Sequence, residues 1–206
     1  MVFLASPNNP TGASFDRPSI KAILKAAWGL VVIDEAYAGF GGDSFVRDLA
    51  RFPHLAVLRT FSKAFALAGV RVGWIVANEP VITAVRKVLP PYNLSVFAQE
   101  AALVALEHAD LLGERIHSII RERHRMSEAM AQIPGIAPHR SQTNFILFST
   151  AIPPAVLYER LRQRGVLVRD VSNAPLLGRC LRVTVGEPEE NDLFLQALRA
   201  SVGDGT

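Results

Sequence analysis

Lys63 lies in a segment whose residue types suit covalent chemistry. Residues 59–74 read RTFSKAFALAGVRVGW, so the lysine stands among hydroxyl and small apolar side chains. A lysine alone is often an ordinary solvated side chain, but a partly desolvated one serves as a Schiff-base nucleophile. Thr60, Ser62 and Arg71 add two hydroxyl donors and a guanidinium, a set that suits a phosphate monoester. A nucleophilic lysine beside a phosphate site indicates pyridoxal phosphate as the cofactor.

Asp34 ends an apolar strand pattern in the segment 31–37, which reads VVIDEAY. A carboxylate at the end of a buried strand needs a cation, a metal ion or hydrogen-bond donors, because an isolated buried charge is too costly. In one alternative such an acid helps to hold Mg²⁺ in a nucleotide hydrolase. That alternative requires the pattern Gly-x-x-x-x-Gly-Lys-Ser/Thr, which the sequence lacks. An ATPase is therefore disfavoured.

Two further segments place polar side chains beside apolar strands. Residues 6–12 read SPNNPTG and form a rigid turn, since two prolines fix φ and Gly12 permits positive φ. The turn is either structural or holds a side-chain amide at the end of a strand. Arg182 lies within the apolar pattern LRVTV at 181–185 and needs an anionic partner. From its own segment, a structural ion pair is the simpler interpretation for this arginine.

Short apolar runs alternate with helical stretches in the first half of the chain. This alternation predicts an α/β fold with a buried sheet. Non-alternating runs such as 30–33 suit strands covered on both faces, and polar residues follow them where a doubly wound sheet places its ligand crevice. Pro90 and Pro91 break the chain before a helix that runs from Ser95, a predicted N-cap, to about His108.

The second half begins with a long amphipathic helix, predicted from about Asp110 to Gln132. A smaller α+β pattern follows it. Its predicted elements are a strand at 144–148, a helix at 155–164, strands at 166–169 and 181–185, and a helix at 189–200. We therefore divide the chain into a large cofactor-binding domain, 1–108, and a linking helix with a small C-terminal domain, 109–206.

The composition excludes several classes of function. Hydrophobic residues make up 50% and charged residues 20% of the 206 residues, which is typical of a soluble globular protein. The N-terminus lacks the basic and apolar regions of a signal peptide, and no run approaches the ~18 apolar residues that span a bilayer, so we expect a cytoplasmic protein without a membrane partner. Glutamates alternate with the arginines of 114–128, so no nucleic-acid partner is expected. One cysteine and five histidines without ligand spacing predict no metal.

The mean hydropathy of +0.22 is high for a monomer. It indicates that part of the apolar surface is covered by another subunit or by further chain.

Three segments in this order, SPNNPTG, VIDEAY and TFSKAFALAGVRVG, resemble the fold-type I aminotransferases of class I/II, and most closely their histidinol-phosphate subfamily. The resemblance extends over nearly the whole chain. It implies that Lys63 forms a Schiff base with pyridoxal phosphate and moves a proton between the substrate Cα and the cofactor C4′. It also implies that Asp34 pairs with the pyridine nitrogen, and that Asn9 and Tyr37 hydrogen-bond the phenolic oxygen. The implied phosphate ligands are Thr60, Ser62 and Arg71.

The same resemblance implies a set of substrate-binding residues. Arg182 matches an arginine that grips the substrate carboxylate, and it would also bind the phosphate of histidinol phosphate. Arg169, at a strand end, resembles an extra phosphate contact of this subfamily. Tyr92, in the segment PPYNLS at 90–95, resembles a substrate contact that reaches the neighbouring subunit's site. Asn144 would orient Arg182. A structural role remains open for Arg169 and Tyr92.

The resemblance implies a homodimer that uses glutamate or 2-oxoglutarate together with a phosphorylated amino alcohol or amino acid. A complete relative would start well before the strand that precedes the NPTG turn, so we expect the large domain to be partial and an N-terminal part to be missing. The first hypothesis is histidinol-phosphate:2-oxoglutarate transamination in histidine biosynthesis. The alternatives are an aromatic amino-acid aminotransferase, a phosphothreonine decarboxylase, and a truncated inactive chain that binds the cofactor weakly or associates with a paralogue.

Overall fold

Residues 1–203, which a computed structural model describes, pack as two compact units. The first unit contains residues 1–8 and 14–116, and the second contains residues 9–13 and the chain from 117 onward. None of the helices within residues 1–203 is both long and apolar enough to cross a membrane.

The first unit is built on a four-stranded sheet. In spatial order its strands are β1 (Val2–Ala5), β2 (Val31–Asp34), β3 (Leu55–Thr60) and β4 (Gly73–Ala77). The first three strands are parallel, and β4 runs antiparallel to β3. Because parallel strands end at the same edge of a sheet, the residues that follow β1, β2 and β3 share one edge. The predicted α/β class with a buried sheet is confirmed.

Three helices belong wholly to the first unit: α1 (Arg17–Ala26), α2 (Glu79–Arg86) and α3 (Val96–Glu107). The Asp16 side chain caps α1 by accepting a hydrogen bond from the Ser19 amide at 2.7 Å. Ile20 and Leu24, one turn apart on α1, are fully buried in the same apolar cluster as Val31. This helix therefore covers one face of the parallel strands.

The α3 helix begins after Ser95, whose hydroxyl accepts a hydrogen bond from the Ala98 amide at 3.1 Å. The predicted N-cap is confirmed. Ala98 and Ala102 are buried, whereas Phe97 is 88% exposed and Val96 is 71% exposed. A helix that is apolar on most of its circumference is usually covered by other protein.

The second unit contains an antiparallel sheet. In spatial order its strands are β5 (Ile136–Pro138), β6 (Phe145–Thr150), β8 (Cys180–Thr184) and β7 (Arg169–Asp170). The helices of this unit are α5 (Pro154–Gln163), α6 (Pro188–Gly203) and the second half of α4 (Ala109–Ala131). Met126, Met130 and Phe148 are fully buried in its core.

The second unit departs from the predicted elements at two strands. The strand expected at 166–169 is wrong, because the strand is confined to Arg169–Asp170. The amide of Val166 instead donates to the Leu161 carbonyl at 3.0 Å and closes the C-terminus of α5, next to Gly165 at φ +78°. The sequence analysis also missed β5, an edge strand that ends at Pro138.

The boundary between the units lies inside α4, after Ile116, and not at the predicted 108/109. The buried residues of α4, Arg123, Met126 and Met130, all lie in the second half of the helix. A single continuous helix thus contributes its two halves to different units.

Candidate functional site

Asp34 is the last residue of β2 and lies at the carboxyl edge of the first sheet, opposite Ala5 of β1 and Leu58 of β3. Its carboxylate is half-buried and accepts a hydrogen bond from the Ala36 amide at 2.9 Å. Among the described residues it forms no ion pair. The carboxylate is therefore available to a cation that residues 1–203 do not supply.

Lys63 lies in the loop between β3 and β4, at the same edge of the sheet. The loop is held by an aromatic cluster, in which the Phe61 ring lies 4.6 Å from the Phe65 ring and 4.9 Å from the Trp74 ring between centroids. The Lys63 Nζ lies 5.3 Å from the centroid of the buried Tyr37 ring. This distance allows a cation–π contact. Within residues 1–203 the amine has no acidic partner.

The three expected phosphate ligands differ in what their side chains already contact. The Thr60 hydroxyl donates to the Val72 carbonyl at 3.3 Å and accepts from the Ser62 amide at 3.0 Å, so its only proton is already used in holding the loop. The Ser62 hydroxyl makes no hydrogen bond in the described part of the chain. Arg71 donates to the Ala68 carbonyl at 2.9 Å and is exposed. It forms no ion pair with any described acid.

Arg71 adopts a left-handed backbone at φ +61°. An arginine in this conformation costs free energy relative to an extended one, and such residues concentrate at binding sites. The loop thus holds a guanidinium that has no ion-pair partner among the described residues, and it does so with local backbone strain.

Glu35 and Arg59 were missed by the sequence analysis. Glu35 is 1% exposed, and its carboxylate accepts from Arg59 at 3.0 and 2.7 Å and from the Phe45 amide at 2.6 Å. The expectation that a buried carboxylate needs a cation is met at Glu35, one residue after the predicted Asp34. The pair ties the end of β2 to the end of β3, next to Asp34 and Thr60.

We expect Glu35→Ala to lower the free energy of unfolding by about 3 kcal/mol, near the lower end of the range for broken buried ion pairs, because Arg59 is partly exposed. The substitution leaves the Phe45 amide without its acceptor and the Arg59 guanidinium without its anionic partner, with the Ser44 hydroxyl still accepting from Arg59. Urea unfolding measures the change. Glu159→Ala, which removes a surface pair with Arg162, is the control and should change stability little. An equally small effect of Glu35→Ala would contradict the assignment of a structural ion pair.

Arg182, in β8 of the second unit, has no acidic partner among the described residues. Its guanidinium carbon lies 4.7 Å from the centroid of the Phe145 ring, and its Nη1 donates to Oδ1 of Asn9. The Nε atom is buried and has no hydrogen-bond partner. The structural ion pair considered from the sequence is therefore absent from residues 1–203.

Asn9 and Asn144 have contacts other than those expected. Asn9 belongs to the second unit and accepts from Arg182 through its amide oxygen. Asn144 accepts from the Val185 amide through its main-chain oxygen, at 2.9 Å. No hydrogen bond between the Asn144 side chain and Arg182 is found among the described residues, and the orienting role of Asn144 stays a prediction. The Phe145 ring and the Asn9 amide both contact Arg182.

Arg169 and Tyr92 are both exposed. Arg169, in β7, lies directly opposite Arg182 in the antiparallel register. Like charges in directly opposed positions destabilise a sheet unless an anion lies between them. Tyr92, in the first unit, is 99% exposed at φ +58°. The structure gives it no partner within residues 1–203.

The two units thus present different chemistry. Within its described residues, the first offers a carboxylate without a cation, an amine without an acid, and an exposed guanidinium, all at one edge of its sheet. These groups suit a ligand that has a basic ring nitrogen, a reactive carbonyl and a phosphate. The second offers two opposed arginines, which suit a carboxylate or a phosphate.

A family model for class I and II aminotransferases matches residues 1–198. The chain belongs to the class I and II aminotransferase family. Histidinol-phosphate aminotransferase 1 of Ralstonia nicotianae is 44% identical over 211 aligned positions, which cover 99% of this chain and 56% of the relative. The chain therefore spans little more than half the length of this relative.

Solved structures of the aminotransferase family and of a decarboxylase share the fold. The histidinol-phosphate aminotransferase of Sinorhizobium meliloti in complex with pyridoxal-5'-phosphate has a TM-score of 0.90 at 29% identity, covering all of this chain and 58% of that one. The L-threonine-O-3-phosphate decarboxylase of Porphyromonas gingivalis has a TM-score of 0.88 at 29% identity, covering 98% of this chain and 65% of that one. These similarities support the fold-type I architecture expected from the sequence.

Proposed function

We propose that this chain provides the cofactor-binding and substrate-binding residues of a pyridoxal-phosphate-dependent histidinol-phosphate:2-oxoglutarate aminotransferase of histidine biosynthesis. The observation that carries the proposal is the Asp34 carboxylate, half-buried at a strand end without a cation of the described chain beside it. A protonated pyridine nitrogen is the cation that fits such a position in this family. The 44% identity to a relative of that name supports the choice of substrate.

The other residues at this edge of the first sheet fit the same cofactor. Lys63 provides an amine without an acidic partner, and Ser62 and Arg71 provide donors for a phosphate. Tyr37, whose ring lies below the amine, provides a hydroxyl for the phenolic oxygen. Thr60 contributes by holding the loop, because its hydroxyl bonds to the Val72 carbonyl and the Ser62 amide.

Bound pyridoxal phosphate supplies an electron sink for the negative charge that develops at the substrate Cα. Lys63 would hold the cofactor through its amine, and the same amine would carry the proton that leaves the substrate Cα. Asp34 keeps the ring nitrogen protonated, since a carboxylate stabilises the cationic form. Arg71 and Ser62 hold the phosphate and thereby limit rotation of the ring.

The substrate is held by its anionic group. Arg182 binds the phosphate of histidinol phosphate in one half-reaction and the carboxylate of glutamate in the other. Arg169 adds a second positive charge on the neighbouring strand, and it favours the phosphate, which carries more negative charge than a carboxylate.

A phosphothreonine decarboxylase is the second candidate, because a structure of that name is also similar and its substrate also carries a phosphate. The paired arginines fit either substrate. The two reactions differ in the amino acceptor, which only the aminotransferase consumes.

We also propose that the working form is a cytoplasmic homodimer. The exposed apolar side chains of α3, above all Phe97 and Val96, support a second copy of the chain as the covering partner. In this proposal Tyr92, which is exposed just before α3, contacts that copy.

The test compares turnover of four substrates by the purified chain with added cofactor. Histidinol phosphate with 2-oxoglutarate should give glutamate with the highest kcat/KM, ahead of phenylalanine. Histidinol, which lacks the phosphate, should react roughly 10- to 150-fold less efficiently, as expected for the loss of a charge-assisted hydrogen bond. Release of CO₂ from phosphothreonine without an amino acceptor would instead identify a decarboxylase. Cofactor binding without any turnover would identify an inactive chain.

A further inference from the structure

The turn that precedes β6 contacts both parts of the proposed anion site in the second unit. The hydroxyls of Ser141 and Thr143 both donate to the Phe145 carbonyl, at 2.6 and 3.1 Å. The Ser141 hydroxyl also accepts a hydrogen bond from the Thr143 amide, and the Thr143 hydroxyl accepts one from the Phe145 amide. Thr143 is fully buried. Three of these four hydrogen bonds fix the main chain of Phe145, whose ring stacks on Arg182.

The same turn also holds the segment that carries Asn9. The Gln142 amide donates to the Gly12 carbonyl at 2.8 Å. Gly12 has φ +75°, and a Cβ there would lie 2.7 Å from the Ser141 hydroxyl, so this close approach requires glycine. Both contacts of Arg182, the Phe145 ring and the Asn9 amide, therefore depend on the position of residues 141–145.

Arg123 of α4 anchors this turn from inside the unit. The residue is 6% exposed, and its Nη1 donates to the Thr143 carbonyl at 2.7 Å. Burial lowers the pKa of Arg123 below its ordinary value, which shows that the charged form is held there at a cost. A neutral residue fills a core with less penalty, and the buried charge here makes a strong charge-assisted hydrogen bond to the Thr143 carbonyl.

We propose that Arg123 is a positioning residue for Arg182, acting through Thr143 and the Phe145 ring. This inference rests on the proposed function, in which Arg182 binds the substrate's anionic group. Removing the Arg123 bond frees the Thr143 carbonyl, loosens the turn and shifts the ring on which the guanidinium rests. The affinity for the anion then falls, while the cofactor residues of the first unit are unchanged.

The experiment follows the Nε–Hε NMR resonance of Arg182 in the full chain labelled with ¹⁵N-arginine. The resonance is assigned by its loss in Arg182→Gln. Because a group above an aromatic ring is shifted by the ring current, its position reports the stacking on Phe145. Titration with inorganic phosphate reports anion binding at the same atom, separately from any binding at Arg71.

We expect Arg123→Gln to move the Arg182 resonance and to weaken phosphate binding roughly 2- to 150-fold, the range for residues in one hydrogen-bond network. Arg123→Lys, which keeps the charge and a donor, should restore part of both. Thr143→Val is the milder second variant, since it removes only the hydroxyl, and it should move the resonance in the same direction. The control is Arg160→Gln, because Arg160 also donates to a main-chain carbonyl, that of Ser201, at 2.7 Å and away from this turn.

An unchanged Arg182 resonance and phosphate affinity in folded Arg123→Gln and Thr143→Val would overturn the positioning role. An equal effect of Arg160→Gln would also overturn it, since the change would then reflect general loss of stability. Failure of phosphate to shift the Arg182 resonance in the unmodified chain is a separate result. It would refute the proposed substrate role of Arg182, while the ring-current shift would still report on Arg123.

Discussion

Lys63→Ala should prevent covalent attachment of pyridoxal phosphate and reduce transamination by at least about 10²- to 10⁴-fold, the contribution of a positioned acid–base group. The lysine has no acidic partner among residues 1–203 and lies over the Tyr37 ring in a loop held by aromatic packing. Alanine removes both the attaching amine and the group that carries the proton. Borohydride reduction followed by mass spectrometry measures the attachment directly, whether or not the chain turns over.

The matched control for this variant is Lys87→Ala. Lys87 follows α2 in the same unit and is exposed, so its loss should leave both attachment and rate near those of the unmodified chain. Attachment that persists in Lys63→Ala would show that another amine carries the cofactor. The assignment of the whole loop to cofactor binding would then be wrong.

Arg182→Gln should raise KM for glutamate and for histidinol phosphate together, each by roughly 10- to 150-fold, the value of one charge-assisted hydrogen bond. The reason is that one guanidinium, without an acid of its own in the described chain, serves the anionic group of both substrates. Steady-state kinetics with each substrate varied in turn measures the two constants.

Arg179→Gln is the control for the arginine variant. Arg179 donates only to the carbonyls of Thr150 and Ala151, so this substitution removes a guanidinium without touching the anion site. A rise in KM confined to one of the two substrates would refute the shared role of Arg182. Separate residues would then bind the carboxylate and the phosphate.

The sequence predicted well those features that depend on local patterns. Ser95 caps α3 by accepting a hydrogen bond from an amide only three residues away. The apolar run before Asp34 is long enough to identify a buried strand. The order of elements in the first unit follows from the same short-range signals. The strand at 166–169 failed because Val166 is used to end the preceding helix, a choice that apolar patterning does not distinguish from a strand.

The residues that were missed act through contacts that are distant in the chain. Glu35 and Arg59 are 24 residues apart, and Arg123 lies 20 residues before the carbonyl it contacts. Arg182 contacts Asn9, which lies 173 residues away in the chain. A local sequence pattern therefore does not predict this contact between the NPTG turn and the arginine. An acid at the end of a buried strand predicts that a cationic partner exists. Only the fold shows that Glu35, and not Asp34, pairs with Arg59.

Covalent binding of pyridoxal phosphate at Lys63 is measured by titrating the purified 206-residue chain with the cofactor and following visible absorbance, with reduction and peptide mapping at the end. We expect a saturable absorbance band at one cofactor per chain, with the label on Lys63. A folded chain that develops no such band, or that carries the label on another lysine, would contradict it.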